Sequence, residues 1–351
     1  MKMNFPAGVL YGQQLIDLFK YLKNNNLAIP AVNVIGTNSI NAVMETAKKA
    51  NLPIIIQLSH GGAAFFAGAS LPNNNSEASI LGAVSAALHV HNVAKFYGVS
   101  VVLHTDHANK EKLPWIDGLL NVNQEYYSEM QRPLFSSHMI DLSVLPLKEN
   151  IDICKGYLQK MKELEILLEF ELGVTGGEED GVDNSGQKKE KLYTNPQDID
   201  YAWQQLMPIS PNFSIAATFG NVHGVYKAGN VVLKPEILKD CQQFIKDKYH
   251  TDDKPIHLVF HGGSGSEPEK IKEAVSYGVI KFNIDTDTQW AFWEGIKEYE
   301  HLNHHYLQSQ LGNPDGPDEP NKDYYDPRTW LREGEKNLVH RLLKAYEELK
   351  G

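Results

Sequence analysis

Eight short apolar runs separated by amphipathic stretches leave this chain few folds to choose from. The runs are IPAVNVIG (29–36), PIIIQLS (53–59), VSVVLHTD (99–106), PLFSSHMID (133–141), EILLEFELG (165–173), FSIAATFGNVHG (213–224), PIHLVFHGG (255–263) and VIKFNID (279–285). Each reads as a strand. Helical patterns lie between them, among them SINAVMETAKKA (39–50), EASILGAVSAALHVHNVAKFYG (77–98), PQDIDYAWQQLM (196–207) and PEILKDCQQFIKDKY (235–249). Turn residues such as Asn51–Leu52–Pro53 and Tyr97–Gly98 punctuate the passages from helix to strand. Strands alternating with helices imply a parallel sheet, and eight such units point to a (β/α)8 barrel. A doubly wound open sheet is the alternative, and it predicts a glycine-rich fingerprint after the first strand. VNVIGTNSI has one glycine there.

Three segments exceed the barrel plan. GQQLIDLFKYLKNNN (12–26) reads as an extra N-terminal helix. TGGEEDGVDNSGQKKEKLYTNP (175–196) is a long polar loop after strand five, of the kind that forms lids or binding loops. The tail from about Asn303 runs through GNPDGPDEPNKDYYDPR to a closing amphipathic helix, TWLREGEKNLVHRLLKAYEELK. With no internal repeat or clear linker, residues 1–351 form one domain.

The bulk numbers exclude several classes. A chain with 42% hydrophobic and 22% charged residues is globular rather than disordered. A net charge of −11 argues against a nucleic-acid or anionic-membrane binder, and requires local cations around any anionic substrate. Cys154 and Cys241 lie far apart, so neither a disulfide framework nor a thiolate zinc site is expected. MKMNFPAGVLYG lacks the apolar core of a signal peptide, and no run approaches the ~20 apolar residues of a membrane span. A cytoplasmic protein is the expectation.

Catalytic groups of a barrel gather at the C-terminal ends of its strands. Here those ends carry Asn33, Ser59, Asp106 with His107, Asp141, Glu169 with Glu171, His223, His261, and Asn283 with Asp285. His107, His223 and His261 each end a strand and precede a loop, and three imidazoles with an open position suit a catalytic divalent zinc ion. Glu171 and Asp141 offer oxygen ligands. Most of the 14 histidines, such as His89, His91, His304 and His305, instead sit on helical stretches. HGGSGSEPEKI (261–271) combines close-approach glycines with a following helix, a ready anion site. The plainer alternative there is a turn capped by Ser266 with Glu269 three residues on. Glu178 and Glu179 stand on the acidic loop, either as a mobile acid/base or as solvated charge. Lys281 allows Schiff-base chemistry or an ion pair.

Taken in order, LHTDH, SSHMIDLS, ELGVTGGEEDGVDNS, FGNVHGVYKAGN, FHGGSGS, KFNIDTDTQWA and PNKDYYDPRTW resemble class II fructose-1,6-bisphosphate aldolases, and the GGEEDG loop and YYDPR tail resemble the longer, IIA-type branch. The resemblance runs from about Gly8 to the end. It implies a (β/α)8 barrel, usually a homodimer. That barrel uses a divalent metal, usually zinc, sometimes with a second divalent site, and a monovalent activator, Na+ or K+. The reaction implied is reversible cleavage of fructose 1,6-bisphosphate into dihydroxyacetone phosphate and glyceraldehyde 3-phosphate.

Matched by motif, His107, His223 and His261 would be the zinc ligands. Glu171 would be a ligand gained or lost as the metal shifts, and Asp141 a carboxylate beside it or at a second divalent site. Asp106 would be the acid/base at the C4 hydroxyl, and Glu179 would move the proton at the carbon that becomes the nucleophile. Gly224, Gly262, Ser264, Asp285 and Thr286 match the pocket for the ketose phosphate. Carbonyls of Val222, Gly224, Gly262 and Ser264 would hold the monovalent ion. Ser59 and Arg328 match the far phosphate site, with Arg328 expected from the partner subunit, and Asn33 and Asn283 line the sugar site. His60 departs from the pattern, in which asparagine is more common. The rivals are an aldolase for the epimer tagatose 1,6-bisphosphate, which the Arg328 tail disfavours, a Schiff-base aldolase through Lys281, and a non-catalytic metal-binding barrel.

Overall fold

The structure, a computed structural model, describes residues 5–179, 182–183, 192–223 and 232–351. Eight parallel strands close into a barrel: β1 (Ile29–Asn33), β2 (Ile54–Leu58), β3 (Ser100–Ala108), β4 (Ser137–Ile140), β5 (Leu167–Leu172), β6 (Phe213–Ala217), β7 (Leu258–Phe260) and β8 (Val279–Ile284). Each pairs with its successor, and β8 returns to β1 through Lys281 opposite Ile29 and Ile284 opposite Val32. All eight expected strands are present. Their outer faces bury aliphatic residues such as Ile56, Leu103, Leu168 and Ile215 against the surrounding helices.

The helix Gly12–Asn24 closes the N-terminal mouth of the barrel. Its buried stripe, Leu15, Leu18, Phe19 and Leu22, faces the strand beginnings: Gly12 N–H donates to the Glu165 carbonyl and Phe19 packs on His257. Gly8–Val9 adds a short parallel pairing onto the start of β3. Cys154 and Cys241 are free and buried.

Three local readings change. The run 213–224 is not one strand: β6 ends at Ala217, and Val222–His223 forms a separate short strand against Gly176–Gly177. Gly220 makes the break. Its φ is +98°, and a Cβ there would stand 2.3 Å from the Val232 carbonyl oxygen, so only glycine fits. The loop after β5 is in part a hairpin, Gly176–Glu179 against Val182–Asp183. The tail likewise folds a hairpin, Leu311–Asn313 against Gly316–Pro320.

The helices Thr286–Leu302 and Pro327–Glu348 run antiparallel, joined by Asn337 donating to the Ala291 carbonyl and by Arg341 on Asp287 at 2.8 Å. The second helix ends against the barrel, where the Ala28 N–H donates to the Leu349 carbonyl. Among the described residues, no helix is long and apolar enough to cross a membrane.

Candidate active site

Side chains alternate along a strand, so residues two apart share a face. His104 and Asp106 on β3, Glu169 and Glu171 on β5, and Lys281 and Asn283 on β8 are such pairs, and all six are buried. They fill the barrel interior with polar groups toward its C-terminal end. His107 should then point away from Asp106. It does not, because its backbone is left-handed, with φ +43°, and the β3–β4 pairing slips register between Thr105 and Ala108. The turn swings its ring to 4.5 Å from that of His261.

The result is a convergence of ligand atoms. Those of Asp106, His107 and His261 lie within 4.8 Å of one another, and so do those of His107, Asp141 and Glu171. His107 Nδ1 is 3.1 Å from Asp141 Oδ2, while Ser143 donates to Asp141 Oδ1 from its amide and its hydroxyl. Burial raises the Asp141 pKa, but the His107 and Ser143 bonds outweigh it and hold the carboxylate at about 2. Thr175 donates its amide and hydroxyl, both at 2.9 Å, to Glu171 Oε1.

His261 tests whether a metal fits. Its Nδ1 is 3.1 Å from Glu171 Oε2 and its Nε2 is 3.0 Å from Glu169 Oε1. A neutral imidazole carries one N–H. One of the two contacts therefore needs a positive charge, either a second proton or a metal ion. Burial and the adjacent His107 lower the His261 pKa, but its bonds to the two glutamates leave it above the ordinary histidine value. A set of imidazoles and carboxylates suits a borderline divalent ion, so the residues fit one.

Asp106 sits in a cradle of amides. Gln57 Nε2 donates to its Oδ2 at 2.8 Å and to Asn33 Oδ1 at 2.6 Å, and Asn283 Nδ2 donates to its Oδ1 at 3.3 Å. Gln57 Oε1 and Asn283 Oδ1 are buried acceptors with no donor among the described residues, so they suit the hydroxyls of a bound ligand.

Lys281 is an ion-paired residue: its 2%-exposed ammonium lies 2.7 Å from Glu169 Oε1. That ion pair disfavours the Schiff-base alternative. His104 is a packed neighbour, with Nδ1 2.7 Å from Ser137 Oγ and Nε2 3.3 Å from Lys281 Nζ.

The β7 loop starts with Gly262 at φ +60°, and Gly263 packs where a Cβ would meet the Phe282 ring at 2.2 Å. The next helix starts at Pro268 with Glu267 before it, so Ser266 does not cap it; proline is suited to the first helical position. Beside this loop, Asp285 precedes the helix that begins at Thr286. Asn221 Nδ2 ties the Val222 segment to the His261 carbonyl at 2.9 Å. Ser59 caps the helix His60–Ala67 by accepting from Gly62 N–H.

Arg328 is not brought to these groups. Its side chain is 90% exposed and pairs with Asp326 instead. Gly224 lies outside the described residues, as do the side chains of Glu179 and His223. Val222, Gly262 and Ser264 are described, on the segments just joined.

Gln57, Thr175 and Asn221 belong to the site without having been singled out from sequence. Gln57 carried a signal, as a polar residue set within the apolar run PIIIQLS two positions before Ser59.

Comparison with known proteins gives the same picture. The family model for fructose-bisphosphate aldolase class-II matches residues 13–351. A fructose-bisphosphate aldolase of Campylobacter jejuni is 60% identical over 98% of this chain and 96% of its own. The class 2 enzyme of Escherichia coli K12 is 56% identical over 97% and 96%. The crystal structure of the Campylobacter jejuni aldolase superposes with a TM-score of 0.90 at 58% identity, covering 98% of this chain and 96% of that one. A metal-ready cluster at the C-terminal mouth of an eight-stranded barrel and a match along nearly the whole sequence lead to one conclusion: the chain belongs to the class II fructose-bisphosphate aldolase family.

Proposed function

We propose that the chain cleaves fructose 1,6-bisphosphate reversibly into dihydroxyacetone phosphate and glyceraldehyde 3-phosphate, with a zinc ion held by His107, His223 and His261 and reached by Glu171. The observation that carries this reading is that two sets of ligand atoms, Asp106, His107 and His261 and then His107, Asp141 and Glu171, share His107. A bound divalent ion supplies Lewis-acid polarisation of the ketose oxygens.

The chain's own residues do the rest. Asp106, fixed by Gln57, Asn33 and Asn283, takes the proton from the C4 hydroxyl as the C3–C4 bond breaks. Glu179 returns a proton to C3. Gln57 Oε1 and Asn283 Oδ1 accept from sugar hydroxyls. Gly262, Ser264, Asp285 and Thr286, with Gly224, take the ketose phosphate on backbone amides and a helix start. The carbonyls of Val222, Gly224, Gly262 and Ser264 hold Na+ or K+. Ser59 and an Arg328 from a second copy take the far phosphate, which makes the working form a homodimer. Asp141 serves a second divalent position. The enzyme works in the cytoplasm.

The test is to strip metal with a chelator and assay cleavage of fructose 1,6-bisphosphate before and after zinc is restored. Activity should vanish and return. Cleavage that survives full metal removal would overturn the reading.

A further inference from the structure

A third set of possible ligands, His104, Asp106 and Glu169, also converges within 4.8 Å inside the barrel. This set already holds a cation. Lys281 Nζ stands 2.7 Å from Glu169 Oε1, 3.3 Å from His104 Nε2 and 4.0 Å from Asp106 Oδ1. A metal ion placed there would meet the ammonium at close range. Glu169 is also fully engaged: Oε1 takes Lys281 and His261 Nε2, and Ser214 Oγ donates to Oε2 at 3.4 Å.

We propose that Glu169 and Lys281 are positioning residues that aim His261 at the metal. This inference rests on the metal-dependent reading above. Glu169 accepts from Nε2–H and so fixes the tautomer in which Nδ1 carries the lone pair. Nδ1 is the atom facing Glu171, on the side of the ligand cluster. A carboxylate behind a ligating histidine also strengthens the imidazole as a donor. Lys281 balances the buried charge of Glu169 and keeps that carboxylate turned away from the metal. Lys281 therefore contributes without forming a bond to substrate.

The experiment titrates metal-stripped protein with zinc against a chromophoric chelator, and records the visible spectrum after loading with cobalt. The proteins are wild type, Glu169→Gln and Glu169→Gln/Lys281→Met. The single variant leaves the buried Lys281 ammonium without its Glu169 partner, whereas the double variant removes both charges at similar volume, so it tests the idea if the single variant does not fold. The expected result is metal binding about 10–100-fold weaker than wild type, with an altered cobalt spectrum. A merely structural pair would lower the unfolding temperature and leave both readouts unchanged. Wild-type affinity and spectrum in a folded variant would overturn the proposal. If wild type itself took up no metal, the failure would lie with the metal-dependent reading instead.

Discussion

Asp106, proposed as the base at the C4 hydroxyl, lies among the ligand atoms, and three amides from Asn33, Gln57 and Asn283 orient its carboxylate. Asp106→Asn keeps the shape and removes the base. We expect kcat to fall at least about 100-fold with KM little changed, as for an acid/base acting in the transition state. Steady-state kinetics on metal-loaded protein decides this, and an effect confined to KM would move the role elsewhere. For Lys281, borohydride added with substrate should leave no covalent adduct, because its ammonium is tied to Glu169; an adduct seen by mass spectrometry would revive the Schiff-base reading. Sequence made Asp106, His107 and His261 legible because each ends a strand. It could not show how His107 joins its neighbours, since alternation points it away and only the left-handed turn brings it round.

At the scale of elements, His138 on β4 shows how a buried histidine ties strands and helix together. Asn123 Oδ1 is taken by the amides of Leu134 and Phe135, so Asn123 Nδ2 faces His138 Nε2 at 3.2 Å, and Nδ1–H reaches Thr105 Oγ1 at 2.8 Å. Both contacts suit the neutral ring, and burial pushes its pKa down to about 3. The unfolded chain binds a proton near 6.5 that the folded one refuses, so stability falls as pH drops from about 6.5 toward 3, by about 1.4 kcal/mol per unit from this residue alone. Urea unfolding at several pH values should show a shallower slope for His138→Asn than for wild type; equal slopes would contradict the argument. The strands were readable because their apolar runs are short and punctuated. The run 213–224 reads as one strand because Gly220 breaks it without ending its apolar character. The hairpins at 176–183 and 311–320 are hidden in the sequence because glycine, proline and acidic residues mask their pairing.

At the scale of the whole molecule, the proposed far-phosphate site calls for a cation, and Arg328 is the proposed one. Arg328 stands exposed at the start of the C-terminal helix, and Trp290 and Trp293 are more than half exposed on the helix Thr286–Leu302. A second copy would cover such apolar groups and deliver the guanidinium. Arg328→Ala should cut kcat/KM for fructose 1,6-bisphosphate at least ~10-fold, because a charged hydrogen bond contributes roughly 1.5–3 kcal/mol. Proton exchange on dihydroxyacetone phosphate, which lacks the far phosphate, should be nearly spared. Mixing Arg328→Ala with His107→Ala protein should restore some cleavage through hybrid dimers; no recovery in verified hybrids would place Arg328 in its own subunit's site. The central claim is that one metal ion, held by the strand-end histidines, carries the cleavage. Bound metal and turnover measured together on wild type, His107→Ala and His261→Ala test it most directly. The account predicts that both variants lose metal and nearly all cleavage, and full metal with wild-type turnover in both would contradict it.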